Sequence, residues 1–503
     1  MQHIDKKRIW DNFVNSNAIV LFLLAFNLLF RVYIYFNTNL FEFSDYKSYL
    51  NAIETIRERG SIPLVGGASH YFNSYIGYFF KYIAGNMDYY YLFNCCLGTL
   101  SSFFIYIFLV KSFRDRKIGI IYLTATSVYS EFITLSSVFY TQVIEVFLFS
   151  IMINFILCLH RSKKVVEAFL YIVVIVIIVN VSFLFKPTMQ YLWLIIGMAS
   201  IMYVKMQSLS LKYLVLALTL FSVDLSLEKF YPDIHFLTST HDVINKNAAV
   251  SFFFFGHTLY GGDGGEGAFI YKEKRIEFDS KFRQWYKEQG IATPTGNTVI
   301  DFKKAEIKRF ITEQPLQWIK LQGYKLVRTF GIIPEGTTFQ VLFSGVFSYN
   351  WILTALFLQI PFLSFIILLV ICFDWSWIKE NLKYRFTWIW ISLFTYWIIG
   401  SIFYGPFQER YRIPIMVIFI IPTLSFLIAR FSFQEFMNNK KPIMVKAIAM
   451  SLIFSIWASQ AYNALVIRKD RYLNFVNKST NINEMINELD ELKEVNEKGR
   501  RIR

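Results

Sequence analysis

Uncharged apolar runs follow one another along this chain. Leu170–Phe185 reads LYIVVIVIIVNVSFLF, and Phe362–Phe373 reads FLSFIILLVICF with its one acid only after the run ends. Backbone placed in hydrocarbon must satisfy its own N–H and C=O groups, so runs near roughly 20 residues read as membrane-crossing helices. Hydrophobic residues make up 55% of the chain and aromatics 19%, concentrated in runs and not spread as amphipathic stripes, which sets it apart from soluble domains. The expected fold is an all-α polytopic membrane protein with about eleven spans. They fall near 17–36, 89–110, 117–135, 140–159, 165–184, 188–205, 211–229, 348–372, 385–404, 411–430 and 443–463. The third is rich in Ser and Thr, and the shorter apolar stretch 74–84 suits an interfacial helix.

Four units follow from these spans: a transmembrane module over 1–229 with a first outer loop at 37–88, an insert over 230–347, a second set of transmembrane helices over 348–463, and a polar tail over 464–503. In the insert, Asp301–Phe330 reads as a helix interrupted at Pro315; in the tail, Ile482, Met485, Leu489 and Leu492 give an amphipathic period. The net charge of +15 need not imply nucleic acid, because Lys and Arg collect in the cytoplasmic loops of membrane proteins. KSFRDRK (Lys111–Lys117), HRSKK (His160–Lys164), KENLKYR (Lys379–Arg385) and NNKK (Asn438–Lys441) alternate with loops poor in basic residues, and the N-terminal KKR falls on their side. That side is expected to be cytoplasmic, and the 37–88 loop and the 230–347 insert extracytoplasmic. The first apolar run reads as a retained signal-anchor, and heavy use of Phe, Ile, Asn, Lys and Tyr fits an AT-rich bacterial gene and a bacterial inner membrane. Cys95, Cys96, Cys158 and Cys372 all lie in or beside apolar runs without metal or disulfide spacing.

Ionisable groups at the outer ends of spans are the candidates for chemistry. Asp45 follows the first span, Glu145 opens the fourth, Lys186 heads the sixth, and Arg410 and Arg412 stand in GPFQERYRIP on the outer side, against the topological bias. A carboxylate there can take a proton from a hydroxyl, and arginines can grip a phosphate through charge-assisted, forked hydrogen bonds. Each residue alone has a plainer explanation. An Asp after a helix can simply be solvated, an Arg at a span end can snorkel to lipid headgroups, and Lys186 before Pro187 can mark a helix start. YGGDGGEG (Tyr260–Gly267) lacks the acidic spacing of a calcium loop and reads as a flexible connection, and His235, His241 and His257 form no zinc pattern.

Several stretches, taken in order, resemble the polyprenyl-phosphate-sugar-dependent glycosyltransferases of the GT-C fold, in the branch of protein O-mannosyltransferases and the lipid A aminoarabinose transferase. SDYKSYLNAIETIRERG is similar to that family's first outer loop, YTQVIEVFLFSIMI to its fourth span, FLFKPTMQYLWL to its Arg-Pro or Lys-Pro element, KRFITEQPLQWIKLQGYKLVRTF to its outer helix, and ERYRIPIMVIFIIP to the element before a late span. The resemblance covers roughly residues 15–430 and implies inverting sugar transfer from a polyprenyl phosphate to an extracytoplasmic hydroxyl or amine. It places Asp45 and Glu145 at the catalytic positions, Arg410 or Arg412 and Lys186 at the donor phosphate or the pocket, and Tyr49, Glu409 and Tyr411 in the pocket; where the chain lacks the Lys or Pro that relatives carry before the second interfacial helix, His70, Asn73 or Lys81 would stand in to hold phosphate. No cofactor is specified; metal dependence varies across the fold, so a divalent metal stays open.

The chain departs from the family in two places. Ser44-Asp45 stands where protein O-mannosyltransferases tend to carry Asp-Glu, which favours a surface-glycan or lipopolysaccharide acceptor over a protein. SHYFNSYIG (Ser69–Gly77) has neither the Lys nor the Pro that relatives often place there. Two other classes stay in view: a transporter or flippase, which favours mid-membrane charges and internal repeats, and an O-antigen polymerase or ligase.

Overall fold

The computed structural model describes residues 16–38, 45–60, 71–185, 211–230, 351–373, 409–431 and 440–462, with Ile196 and short pieces within 283–331 and 390–395. Among these residues the chain is helical: α1 Asn17–Phe36, α2 Asp45–Arg59, α3 Tyr71–Tyr78 continuing into a π turn at Phe79–Ile83, α4 Asp88–Phe113, α5 Arg116–Val128, α6 Ser130–Leu135, α7 Gln142–Arg161 and α8 Val165–Phe185. Then come α9 Leu211–Phe230, α10 Trp351–Cys372, α11 Glu409–Ile415, a π turn at Met416–Ile420, α12 Ile421–Arg430 and α13 Lys440–Tyr462.

Seven described helical segments are long and apolar enough to cross a membrane: Asn17–Phe36, Asp88–Phe113, Gln142–Arg161, Val165–Ser182, Leu353–Cys372, Arg412–Arg430 and Ile443–Gln460. The chain is therefore an all-α polytopic membrane protein. The expected span at 188–205 and most of that at 385–404 lie outside the described residues, as do the tail and nearly all of the insert. In the insert, the described helical positions from Asp301 stop at Gln314 and resume at Pro315, the interruption expected there.

Packing ranks the helices by depth. Across an 18-residue stretch of Arg412–Arg430 83% of the residues are buried, whereas only 6% are in Ile443–Gln460, so α11–α12 run inside the bundle and α13 outside it. α4 packs along α1, α5 and α7, and α12 lies against α5 and α10. Outward faces keep their apolar side chains exposed, among them Leu21, Phe22 and Leu29 of α1 and Met444, Ile448 and Leu452 of α13. Such faces suit lipid, which accepts apolar surface without a protein partner.

The expected third span is not one helix. Thr124, Thr126 and Ser127 turn their hydroxyls back onto the carbonyls of Ile120, Tyr122 and Leu123 at 2.9, 3.1 and 2.7 Å. Back-bonding of this kind bends helices, and at Tyr129 (φ −76°, ψ 88°) the helix stops, to restart as α6. The break is used by the opposite half of the fold. Pro361 inside α10 lacks the N–H that would bond the Phe357 carbonyl; Ser130 Oγ donates to that carbonyl at 2.7 Å. In the later π turn the Ile421 N–H bonds the Met416 carbonyl, so the Val417 carbonyl loses its α-helical partner, and its π-register partner would be Pro422. Tyr122 Oη donates to it at 3.2 Å.

The two ends of the bundle differ in kind. At one, Arg116 Nη2 donates to the Ser16 carbonyl at 2.9 Å and Asn17 Oδ1 at 2.8 Å, Arg161 to the Lys111 carbonyl, and Lys212 to the Ser162 carbonyl. These residues belong to or adjoin the 111–117 and 160–164 basic loops, which therefore share one end of the bundle. At the other, Tyr35 Oη donates to Asp88 at 2.5 Å, and α2, α3 and its π turn close over the bundle.

Candidate functional site

The end away from the basic loops is organised around one ring. Phe139 lies 5.6 Å from Tyr49 of α2 and 4.4 Å from Tyr90 of α4, both edge-on. A Cβ at Gly77 of α3 would meet Phe139 Cζ at 2.6 Å, so only a glycine lets α3 come this close. Tyr49 also stands 6.0 Å from Tyr140, again edge-on. Tyr49 is one helical turn beyond Asp45, which begins α2, and Tyr140 shortly precedes α7, whose first turn carries Glu145. The start of the first-loop helix and the start of the Glu145 helix are thus at the same end of the bundle.

Between α6 and α7 the chain is wholly buried yet polar. Ser136, Ser137, Thr141, Gln142 and Glu145 are all at most 3% exposed. Thr134 Oγ1, Ser137 Oγ, Thr141 Oγ1 and Gln142 Oε1 make no hydrogen bond among the described residues. Asn94, whose Nδ2 donates to the Val138 carbonyl at 3.4 Å, leaves its Oδ1 unsatisfied beside them. Asn73 accepts from Tyr90 Oη at 2.7 Å and leaves Nδ2 unsatisfied, and the neighbouring Ser74 Oγ is in the same state. Buried polar atoms nearly always find a partner, so a concentration of unmet ones marks a place where water or the polar groups of a ligand complete the bonding.

The cations of the expected site separate. Arg412 is fully buried and is held by the protein: Nε donates to Glu131 Oε2 at 3.0 Å, Nη2 to Glu131 Oε1, and Nη1 to the Gly331 carbonyl at 2.6 Å. Its guanidinium stands 3.8 Å from the centre of the Phe362 ring, and Tyr129 Oη adds a 2.7 Å bond to Glu131. A phosphate reaching Arg412 would compete with a two-point carboxylate contact. Lys81, in the π turn after α3, bonds Glu54 of α2 at 2.5 Å, with Tyr82 Oη on the same carboxylate at 2.6 Å. Burial works to raise the Glu54 pKa, but hydrogen bonds from Lys81 and Tyr82 and the Lys81 charge prevail and hold it below the usual carboxylate range. For Lys81, burial works downward, while the hydrogen bond and charge of Glu54 prevail and raise it.

The side chains of Asp45, Glu409, Arg410 and Tyr411 lie outside the described residues, although the backbone places Asp45 first in α2 and the other three in α11. His70 and Lys186 lie outside them altogether, as do the Tyr260–Gly267 loop and His235, His241 and His257. Among the described residues no three His, Cys, Asp or Glu side chains group as a metal site.

Two buried ionisable residues escaped the sequence reading. Glu131 interrupts YSEFITL and Arg31 interrupts FNLLFRVYIYF. A charge inside an apolar run was the available signal; attention to the ends of spans passed over both. No protein-family model matches the chain, and neither does any curated protein or solved structure.

Proposed function

We propose that the chain is a membrane glycosyltransferase that moves a sugar from a polyprenyl-phosphate donor to an extracytoplasmic hydroxyl or amine with inversion. Its bundle is then of the GT-C type with about eleven spans, and its acceptor a surface glycan or lipopolysaccharide, ahead of a protein. The observation that supports this reading is the set of unmet hydroxyl and amide groups around the start of α7, next to Glu145 and under α2, which begins at Asp45. A sugar presents many hydroxyls, and these are the groups that such a surface would bond.

In this reading Asp45 accepts the acceptor's proton as the acceptor oxygen or nitrogen bonds the anomeric carbon from the face opposite the phosphate. The bond from that carbon to the phosphate oxygen breaks, and the polyprenyl phosphate leaves with the electron pair. Glu145 is the second acid. Arg410 and Lys186 are the cations assigned to the departing phosphate, where positive charge lowers the barrier most. Arg412 acts in the same region through the Glu131 pair, and Tyr49 holds the α2 end against Tyr140.

The test is transfer by the purified protein in lipid, given polyprenyl-phosphate hexose and candidate acceptors. Asp45→Asn is expected to lower the rate by about 10²–10⁴-fold with an unchanged melting temperature. A folded Asp45→Asn protein working at the wild-type rate removes Asp45 from the chemistry. Failure with every lipid-phosphate donor, together with solute uptake into vesicles, replaces the transferase by a transporter.

A further inference from the structure

Arg31 is a second fully buried guanidinium, and it is bonded differently from Arg412. Nε donates to Asn27 Oδ1 at 2.9 Å; Nη1 donates to the Phe132 carbonyl at 2.8 Å and to Ser136 Oγ. The Phe132 ring lies 4.2 Å from the guanidinium. Asn27 is itself fixed by donating to the Thr126 carbonyl at 3.3 Å and accepting from Thr99 Oγ1 at 3.1 Å. All these partners are neutral. Among the described residues, Cys95 and Tyr122 are the ionisable groups coupled to its charge, both uncharged forms at neutral pH.

Nη2 has no hydrogen-bond partner among the described residues. Arg31 thus combines a whole positive charge without a carboxylate and two N–H groups pointing at no acceptor. Guanidinium stays protonated there, and a buried charge without a partner is costly. The position is built for the cation: a Cβ at Gly98 would stand 2.5 Å from Arg31 Nη1 and 2.7 Å from Cζ. Ser136 accepts from Arg31, so its own hydroxyl hydrogen remains available to donate. Full burial of Arg31 favours an occupant the size of a single ion over a phosphate ester.

We infer that Arg31 Nη2, with the Ser136 hydroxyl, binds a small monovalent anion of halide type as its counterion within the α1–α4–α6 contact. The site is independent of the sugar-transfer reading.

The wild-type protein, purified in detergent, would be melted in sodium chloride and in sodium gluconate at equal ionic strength. Stabilisation that saturates with chloride, is reproduced by bromide, and is lost in Arg31→Gln is the expected result. Equal melting temperatures in the two salts overturn the site, and so does a chloride effect equally large in the variant. Should Arg31→Gln fail to fold, bromide anomalous scattering from wild-type crystals decides. A peak at hydrogen-bond distance from Nη2 supports the anion; a water there without anomalous signal overturns it.

Discussion

Arg412 and Arg31 are both fully buried arginines of one bundle, and their bonding implies opposite behaviour on substitution. Arg412 is matched by Glu131, so removing one partner strands the other: Glu131→Gln is expected to lower stability by about 3–5 kcal/mol, while Glu131→Gln with Arg412→Met costs far less than the two single changes added. Chemical unfolding in detergent, read as a double-mutant cycle, checks this; additive losses would mean that the pair is not coupled. The same contact explains why Arg412 looks exceptional in the sequence. An arginine at the end of a span needs a partner at membrane depth, and here that partner lies 281 positions away.

Helices in this protein are joined where their own hydrogen bonding fails. Ser130 satisfies the Phe357 carbonyl that Pro361 leaves open. Ser130→Ala should therefore destabilise by about 1–3 kcal/mol, and the loss should shrink in a Pro361→Ala background, where the restored N–H takes that carbonyl. Equal losses in both backgrounds would remove this account. The contact of α2 with the π turn after α3 behaves as a charge pair. Glu54 has a lowered pKa, so its contribution is complete above the ordinary carboxylate value and disappears as pH falls through the lowered one. Lys81 has a raised pKa, so its contribution is complete below the ordinary lysine value and disappears as pH rises through the raised one. The pair is intact at neutral pH and loosens in acid, as Glu54 takes up a proton below the ordinary carboxylate range. Because Glu54 is 40% exposed, the gain is small, about 0.2–1 kcal/mol. Hydrogen exchange in 45–59, corrected for intrinsic rates, should show protection falling in acid for the wild type and no such fall for Glu54→Gln.

For the molecule as a whole, the end that carries the described basic loops is expected to face the cytoplasm. With the native cysteines replaced, Asn86→Cys should react with a membrane-impermeant maleimide on intact cells, and Lys163→Cys only after the cells are opened; both positions are exposed, at opposite ends of the bundle. The reverse pattern would invert the topology and put the first loop in the cytoplasm. Hydropathy is a property of consecutive residues, which is why α1, α4, α7, α8, α10 and α13 were legible as spans and why the basic loops could be placed together. The 117–135 stretch was read as a single span because Ser and Thr back-bonding leaves its hydropathy unchanged while it bends the helix. Of the candidate site, Asp45 and Glu145 could be assigned to one end from their places in the span order. The Phe139 hub and the unmet polar atoms beside it could not, since they depend on contacts between α2, α3, α4 and α7. Membrane class thus follows from local composition alone. Which charge meets Glu131, which arginine lacks a carboxylate, and which carbonyls Ser130 and Tyr122 bond are settled by folding, because each joins residues that no local pattern connects.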